Sequence, residues 1–319
     1  MAGIVLTQRT KRDGPIAGNP DLARSLSRFA LGLALTTVAL MALGSATRVM
    51  NAGLSCPDWP LCYGTLLPHM NLQVFLEWFH RLVAASMGFG VITLVSVAVW
   101  RRRELPGWTP GAMAVALGLV LVQGLLGGLT VTELLRFDIV TAHLGTGLAF
   151  FCTLLAIGLA LNPRDETATV STPGALPWVG LTAAIGIYLQ SLLGGLVASR
   201  WAVHQCFGTA QLCLVMNSHI AGVFPATLAV MAIVLWTRYQ KKNIANLNPW
   251  LTRIAHSALL LLLTQIALGI TTYRLRLQVE VLTVSHQMVG ALLLGSLVAF
   301  TTVAWCDRAK VSSTAATPT

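Results

Sequence analysis

The hexapeptide "QGLLGG" at residues 123–128 recurs as "QSLLGG" at residues 190–195. Shorter versions are "QIALG", which begins at Gln265, and "LMALG", which ends at Gly44. Each copy lies near one end of a long apolar block, so a Leu-Gly pair marks the same level in four predicted helices. The sequence therefore predicts one structural unit that is used twice.

The apolar blocks predict a membrane protein. Only 10% of the 319 residues are charged and 55% are hydrophobic, whereas a soluble domain carries about a quarter charged residues. A helix needs roughly 20 apolar residues to cross a bilayer. The blocks are continuous, which is typical of helices and not of barrel strands. They cover residues 29–46, 74–100, 112–131, 139–161, 176–198, 214–236, 254–270 and 281–305.

These blocks predict an all-α polytopic fold with eight transmembrane helices in two pseudo-symmetric four-helix bundles. Each half, 29–162 and 174–306, has an even number of helices, so both point the same way and form a parallel internal repeat. The polar first 25 residues do not form a signal peptide. The predicted parts are a tail at 1–25, bundles at 26–162 and 176–306, a linker at 163–175 and a disordered tail at 307–319.

The basic residues predict the orientation. The side with both termini carries 15 of the 21 lysines and arginines. Since cytoplasmic loops are enriched in such residues, both termini are expected in the cytoplasm. The charge is divided among short loops, so it does not indicate nucleic-acid binding.

Two close cysteine pairs lie in loops on the opposite, outer side. One pair is Cys56 and Cys62, and the other is Cys206 and Cys213. Disulfides form and persist outside the cytoplasm, so each pair is expected to close a small loop. A structural staple and a redox role both remain open.

Four histidines lie at one depth, one in every even-numbered helix. Each is about six residues inside the outer end of its helix, or roughly 10 Å at 1.5 Å per residue. Facing imidazoles in a four-helix bundle suit a haem iron, whereas zinc needs three or four ligands at one point. We therefore predict one bis-histidine haem in each half. The predicted pairs are His80 with His143 and His219 with His286.

One carboxylate distinguishes the two halves. Glu77 precedes His80 by three residues, so both project from the same helix face. Val140, Met216 and Thr283 stand at the equivalent positions. An ionisable group at membrane depth indicates a function, although pairing with Arg81 is the alternative. The asymmetry indicates that one haem is worked on and that the other is a cofactor.

With these residues together, the chain resembles the haem A synthase family over all eight helices. The matching segments are "GSATRVMNAGLSCPDWPLCYG" from Gly44, "EWFHR" from Glu77, "TAHLGTG" from Thr141, "NSHIAG" from Asn217 and "SHQMVG" from Ser285. The resemblance implies an enzyme that oxidises the C8 methyl of haem O to a formyl group. Haem A is the product, and it serves terminal oxidases.

The resemblance also implies roles for the two halves. His80 and His143 would hold haem O as the substrate, and His219 and His286 would hold haem b. Glu77 matches the family's essential carboxylate. Cys56 and Cys62 would contribute to electron or substrate handling, while Cys206 and Cys213 are interpreted as structural.

The expected setting is the plasma membrane, with the haem sites toward its outer side. Haem O would be handed over by haem O synthase, and membrane lipid and an unidentified electron donor or acceptor are the other partners. Two alternatives are a non-enzymatic dihaem electron carrier and a haem-handling chaperone. The carrier is disfavoured because its ligand pairs should lie near both membrane faces.

Overall fold

Eight long helices make up the part of the chain that can be described. A computed structural model describes residues 18–163, 172–198, 214–244 and 246–315, with side chains to residue 308. Each helix is long and apolar enough to cross a membrane, and the described ranges contain no β-strand. The predicted all-α polytopic membrane fold is confirmed. The helices are α1 Pro20–Val49, α2 Leu72–Trp100, α3 Thr109–Thr132, α4 Phe137–Leu161, α5 Leu176–Val197, α6 Leu214–Asn243, α7 Pro249–Arg274 and α8 Glu280–Ala315.

Two terminal boundaries differ from the prediction. Helix α1 begins at Pro20 and not after residue 25, because the Asn19 side chain accepts the N–H of Leu22 and proline suits the first helical position. Helix α8 continues to Ala315, past the predicted tail boundary at 307. No glycine or proline follows Gly295 until Pro318, so nothing in that stretch terminates the helix. Most of the predicted linker, residues 164–171, lies outside the described residues.

The helices pack as two closed rings of four. In each ring every helix packs against its neighbours in sequence, and the first packs against the last. The first ring is α1 to α4, with Leu94, Met113 and Leu154 buried in its core. The second is α5 to α8, with Ile233 and Phe300 in its core. This packing agrees with the two predicted four-helix bundles.

The contacts between the rings follow a pseudo-twofold relation. Helix α1 packs against α8, α4 against α5, and α4 against α8. Exchanging the two halves converts the first contact into the second and leaves the third unchanged. The pseudo-symmetry axis therefore passes between α4 and α8, as a parallel repeat requires.

The same tight turn occurs twice at the predicted outer end. Leu134 and Leu135 join α3 to α4 with φ of 52° and 60°, and Arg276 and Leu277 join α7 to α8 with φ of 51° and 58°. Left-handed conformations are unfavourable for residues other than glycine. Their recurrence at equivalent positions therefore reflects the repeated architecture more than local sequence preference.

Glycines allow two equivalent helix crossings to be close. A Cβ on Gly158 of α4 would lie 2.6 Å from Cγ of Leu31 in α1. In the second half, a Cβ on Gly180 of α5 would lie 2.5 Å from Oγ1 of Thr301 in α8. Gly158 follows His143 by fifteen residues, as Thr301 follows His286. The glycine of this crossing is therefore on the last helix in the first half and on the first helix in the second half.

Replacing Gly158 with alanine should destabilise the first bundle. The new methyl would overlap Leu31, and such overpacking costs about 1–3 kcal/mol. Gly32→Ala is the matched control, because no atom lies within 4 Å of a Cβ at Gly32. Thermal unfolding in detergent should show a lower Tm for Gly158→Ala and an unchanged or higher Tm for the control. Equal Tm values would show that the crossing is not tightly packed.

Candidate functional site

A large cavity lies inside the first bundle at the predicted outer end. Its volume is about 470 Å³, and it is lined by side chains from α1 to α4, including both His80 and His143. Ligand pockets are typically about 300–1,000 Å³. The structure thus brings the two predicted ligands of the first half to one ligand-sized space.

Each of the four histidine rings packs against a glycine of a facing helix. A Cβ built on that glycine would lie 2.9 to 3.4 Å from Cε1 of the imidazole. At Gly44, Gly194 and Gly269, where that distance is 2.9 to 3.0 Å, a larger residue would require the ring or the helix to shift, whereas at Gly127 the 3.4 Å distance is close to ordinary contact. The Leu-Gly pairs of the sequence repeat therefore mark the four ring positions. The pairs are Gly44 with His80, Gly127 with His143, Gly194 with His219 and Gly269 with His286.

Three of the histidine rings also contact the side-chain amide of a glutamine. These glutamines belong to the sequence repeat, but the sequence did not predict that they contact the histidines. Each glutamine precedes the contacting glycine by four residues, one helical turn, so both face the same imidazole. The glutamine that recurs at the start of "QGLLGG", "QSLLGG" and "QIALG" is the sequence signal that could have indicated this contact. The amide nitrogen lies 3.3 Å from Nε2 for Gln123 and His143, 3.1 Å from Nδ1 for Gln190 and His219, and 3.3 Å from Nε2 for Gln265 and His286.

The second-half ring pair fits one metal between its members. The ring centres of His219 and His286 lie 6.4 Å apart, with an angle of 84° between the planes. Bonds from histidine nitrogen to a metal such as zinc are about 2.0–2.1 Å long, so two rings on opposite sides of one metal would have centres roughly 6 to 7 Å apart. Nδ1 of His286 is buried and has no hydrogen-bond partner among the described residues, which leaves a nitrogen for such a bond.

The first-half pair has the same donor chemistry. Nδ1 of His80 and Nδ1 of His143 are both buried without partners. Among the described residues, no group of three or more histidine, cysteine or acidic side chains could hold a metal. Two imidazoles beside a ligand-sized cavity therefore fit a haem better than a zinc ion.

Glu77 lies in the cavity wall and is held by two donors. Its side chain is nearly inaccessible, with the residue 4% exposed. Oε1 accepts from Nη2 of Arg81 at 2.6 Å, and Oε2 accepts the N–H of Cys56 at 2.8 Å. The ion pair between Glu77 and Arg81, which the sequence offered as an alternative to a functional role, is thus formed. The same carboxylate also lines the cavity.

The Glu77–Arg81 pair fastens a disulfide-closed loop over the cavity. Cys56 and Cys62 are bonded and fully buried, which confirms the predicted first pair. The Arg81 guanidinium donates to the carbonyl oxygens of Cys56, Asp58 and Leu61. Cys206 and Cys213, the predicted second pair, lie outside the described residues.

The loop contacts the bundle through an aromatic ring. The ring of Trp59 lies against Gly128 of α3, where a Cβ would be 3.2 Å from Cδ2, and Trp59 also lines the cavity. The carboxylate of Asp58 accepts the N–H groups of Gly64 and Tyr63, and these hydrogen bonds lower the pKa of Asp58. A charged Asp58 thus holds the turn that carries Trp59.

The cavity also reaches the second half. Gly195 of α5 and Gln287 of α8 line it, and Gln287 directly follows the predicted ligand His286. Arg48, at the end of α1, lines the cavity and donates to the carbonyl of Ala198 after α5 at 3.2 Å. The two predicted haem sites are therefore close neighbours across the interface between the bundles.

Comparisons with known proteins place the chain in a family. The family model COX15-CtaA, described as cytochrome oxidase assembly protein, matches residues 27–74 and 70–298. A heme A synthase from Shewanella oneidensis is 26% identical, over 86% of this chain and 96% of its own length. One from Rhizorhabdus wittichii is 27% identical, over 93% of this chain and 98% of its own. These matches cover both bundles, and the chain belongs to the COX15-CtaA family of cytochrome oxidase assembly proteins.

Proposed function

We propose that this chain is a haem A synthase, an oxidoreductase that converts the C8 methyl of haem O to a formyl group. Besides membership of the family, one structural observation supports the proposal. Two matched histidine pairs are present, but among the described residues a buried carboxylate, Glu77, shares a cavity with the first pair, whereas the equivalent second-half positions hold Met216 and Thr283. This asymmetry is expected if the first bundle binds a haem that reacts and the second bundle binds a haem that remains as a cofactor.

The proposed roles of the histidines follow the two halves. His80 and His143 hold the iron of haem O in the first bundle, which is the substrate half. His219 and His286 hold haem b in the second bundle. When bound, haem iron supplies the one-electron and oxygen chemistry that side chains lack. The protein contributes the position of each iron and the environment of the reacting methyl.

Glu77 provides a fixed negative charge beside the substrate. Its two oxygens are occupied by the Arg81 guanidinium and the Cys56 N–H, so the carboxylate does not need to reorient during the reaction. Preorganised charge in a site that excludes water is an effective way to stabilise charge that develops during a reaction. We assign Glu77 to stabilising positive charge at the haem edge as the methyl is oxidised.

The proposed setting is the plasma membrane, with both termini cytoplasmic and the haem sites toward the outer side. The distribution of basic residues supports this orientation. Oxidation of the methyl removes electrons in several steps, so an external electron donor or acceptor is required. Haem O would arrive from the membrane or directly from haem O synthase.

A dihaem electron carrier is less consistent with the geometry. All four rings contact glycines at the same level of the repeat, so the predicted haems lie side by side and not one above the other. Such a pair does not connect the two membrane faces. Electron transfer also gives no role to the Glu77 carboxylate in the cavity wall.

The direct test is to produce the chain with a source of haem O and to separate the extracted haems by chromatography. Haem A or a hydroxylated intermediate is expected. Folded, haem-loaded protein that yields neither product would exclude the enzyme proposal and favour a carrier or chaperone.

Replacing Glu77 with glutamine should abolish product formation while haem remains bound. The glutamine oxygen can still accept from the Cys56 N–H, but the negative charge is lost. A loss of about 10²–10³-fold in turnover is expected, as for other preorganised electrostatic groups. Glu133→Gln is the control, because Glu133 is an exposed acid paired with Arg136. Normal haem A production by Glu77→Gln would show that the carboxylate is not catalytic.

Replacing Cys56 and Cys62 together with serine should loosen the loop over the cavity. The loop would keep its Arg81 contacts but lose its covalent closure, so haem A production should fall while the second-bundle haem is retained. Haem content and product should be measured on the same preparation. Cys152→Ser is the control, because Cys152 is a free cysteine in α4. Equal loss of both haems would indicate a general folding role for the disulfide.

A further inference from the structure

Among the described residues, three of the four predicted ligand rings have a side-chain partner and His80 has none. Gln123, Gln190 and Gln265 each place an amide within 3.3 Å of a ring nitrogen. The position one turn before Gly44, the glycine that contacts His80, is Leu40. An apolar side chain thus occupies the fourth equivalent position.

The space for the glutamine is also missing at His80. Opposite two of the amides stands a glycine four residues after the histidine, where a Cβ would lie 3.0 to 3.1 Å from the amide nitrogen. These glycines are Gly147 for Gln123 and Gly290 for Gln265. The residue four after His80 is Ala84. Both members of the glutamine–glycine pair are therefore replaced together, by Leu40 and Ala84, which line the cavity.

The difference lies in the side chains alone. A main-chain carbonyl contacts each ring from the same position, at Leu40, Gln123, Gln190 and Gln265. The amide is an additional partner, and a rotated amide would direct its oxygen to a ring N–H. The amide oxygens of Gln123 and Gln265 are buried without partners, so they are available for that hydrogen bond.

Partners of this kind matter because they fix the orientation of a ligand ring and strengthen it as a donor to the metal. Removing one typically costs about 10- to 100-fold in metal affinity or activity. A histidine that has the main-chain carbonyl but no amide beside it should leave the iron more readily than the three that have both. In the first bundle that histidine is on α2, one turn after Glu77.

We propose that His80 is the exchangeable axial ligand of the first-bundle haem, and that Gln123, Gln190 and Gln265 are positioning residues for the other three ligands. This inference rests on the proposed haem function. The exchangeable ligand would then come from α2, the helix from which Glu77 also lines the cavity. The inference also explains why the haem of one half can react while the haem of the other half keeps both of its histidine ligands.

Carbon monoxide tests the inference because it binds a ferrous haem only where an axial side chain leaves. The full-length protein, loaded with haem in both bundles and reduced, should bind carbon monoxide at one haem. The double variant Leu40→Gln/Ala84→Gly restores the glutamine–glycine pair and should reduce the rate of carbon monoxide binding about 10- to 100-fold. Gly32→Ala is the control, because no atom lies within 4 Å of a Cβ at Gly32 in α1, and it should bind at the wild-type rate.

The second bundle provides an independent comparison if the double variant fails to fold. Gln265→Leu removes the amide beside His286 and should make the second haem reactive with carbon monoxide. Gln265→Glu keeps an acceptor oxygen and should restore the closed state. A general structural role for Gln265 would not produce this pattern of loss and rescue.

Two results would overturn the inference. One is carbon monoxide binding that does not change in the Leu40→Gln/Ala84→Gly variant, and the other is a second haem that stays closed in Gln265→Leu. Both presuppose two low-spin haems in the protein once haem is bound in both bundles. A protein with haem bound in both bundles but without two such low-spin haems would instead contradict the proposed function itself.

Discussion

The structure depends on the contact between an imidazole ring and a glycine on the facing helix. This contact occurs four times, and at Gly44, Gly194 and Gly269 the ring is too close to leave room for a side chain. It sets the separation of the odd- and even-numbered helices and points each histidine toward its bundle. Because the glycine and the histidine belong to a repeated unit, two sites result from one geometric solution.

The residues proposed to act in the reaction lie where the two halves carry different side chains at equivalent positions. Among the described residues, these are in the first half. Glu77 replaces an apolar position, and Arg81 links that carboxylate to the loop closed by Cys56 and Cys62. Leu40 and Ala84 replace the glutamine–glycine pair that accompanies two of the other rings. Each departure from the repeat changes the surroundings of one histidine pair while the shared framework of helices stays the same.

Much of this could be predicted from sequence, since long apolar blocks, the repeated hexapeptide and four histidines at one depth are local or periodic signals. Glu77 and its possible pairing with Arg81 were also evident, because both lie on one helix face. The glutamine contacts were not predictable, since they depend on which helices face each other. The close crossings at Gly158 and Gly180 depend on the same information. Helix α8 extends past the apolar block because no residue stops it, which hydropathy does not report.

The central claim is that the two histidine pairs form two haem sites of unequal function. Low-temperature electron paramagnetic resonance of the purified chain, before and after addition of haem O, tests it most directly. The account predicts one low-spin bis-imidazole signal from the second bundle at first, which a His219→Ala variant lacks. A second low-spin signal should appear with haem O and should require His143. A first signal that survives in His219→Ala, or no second signal with bound haem O, would contradict the account.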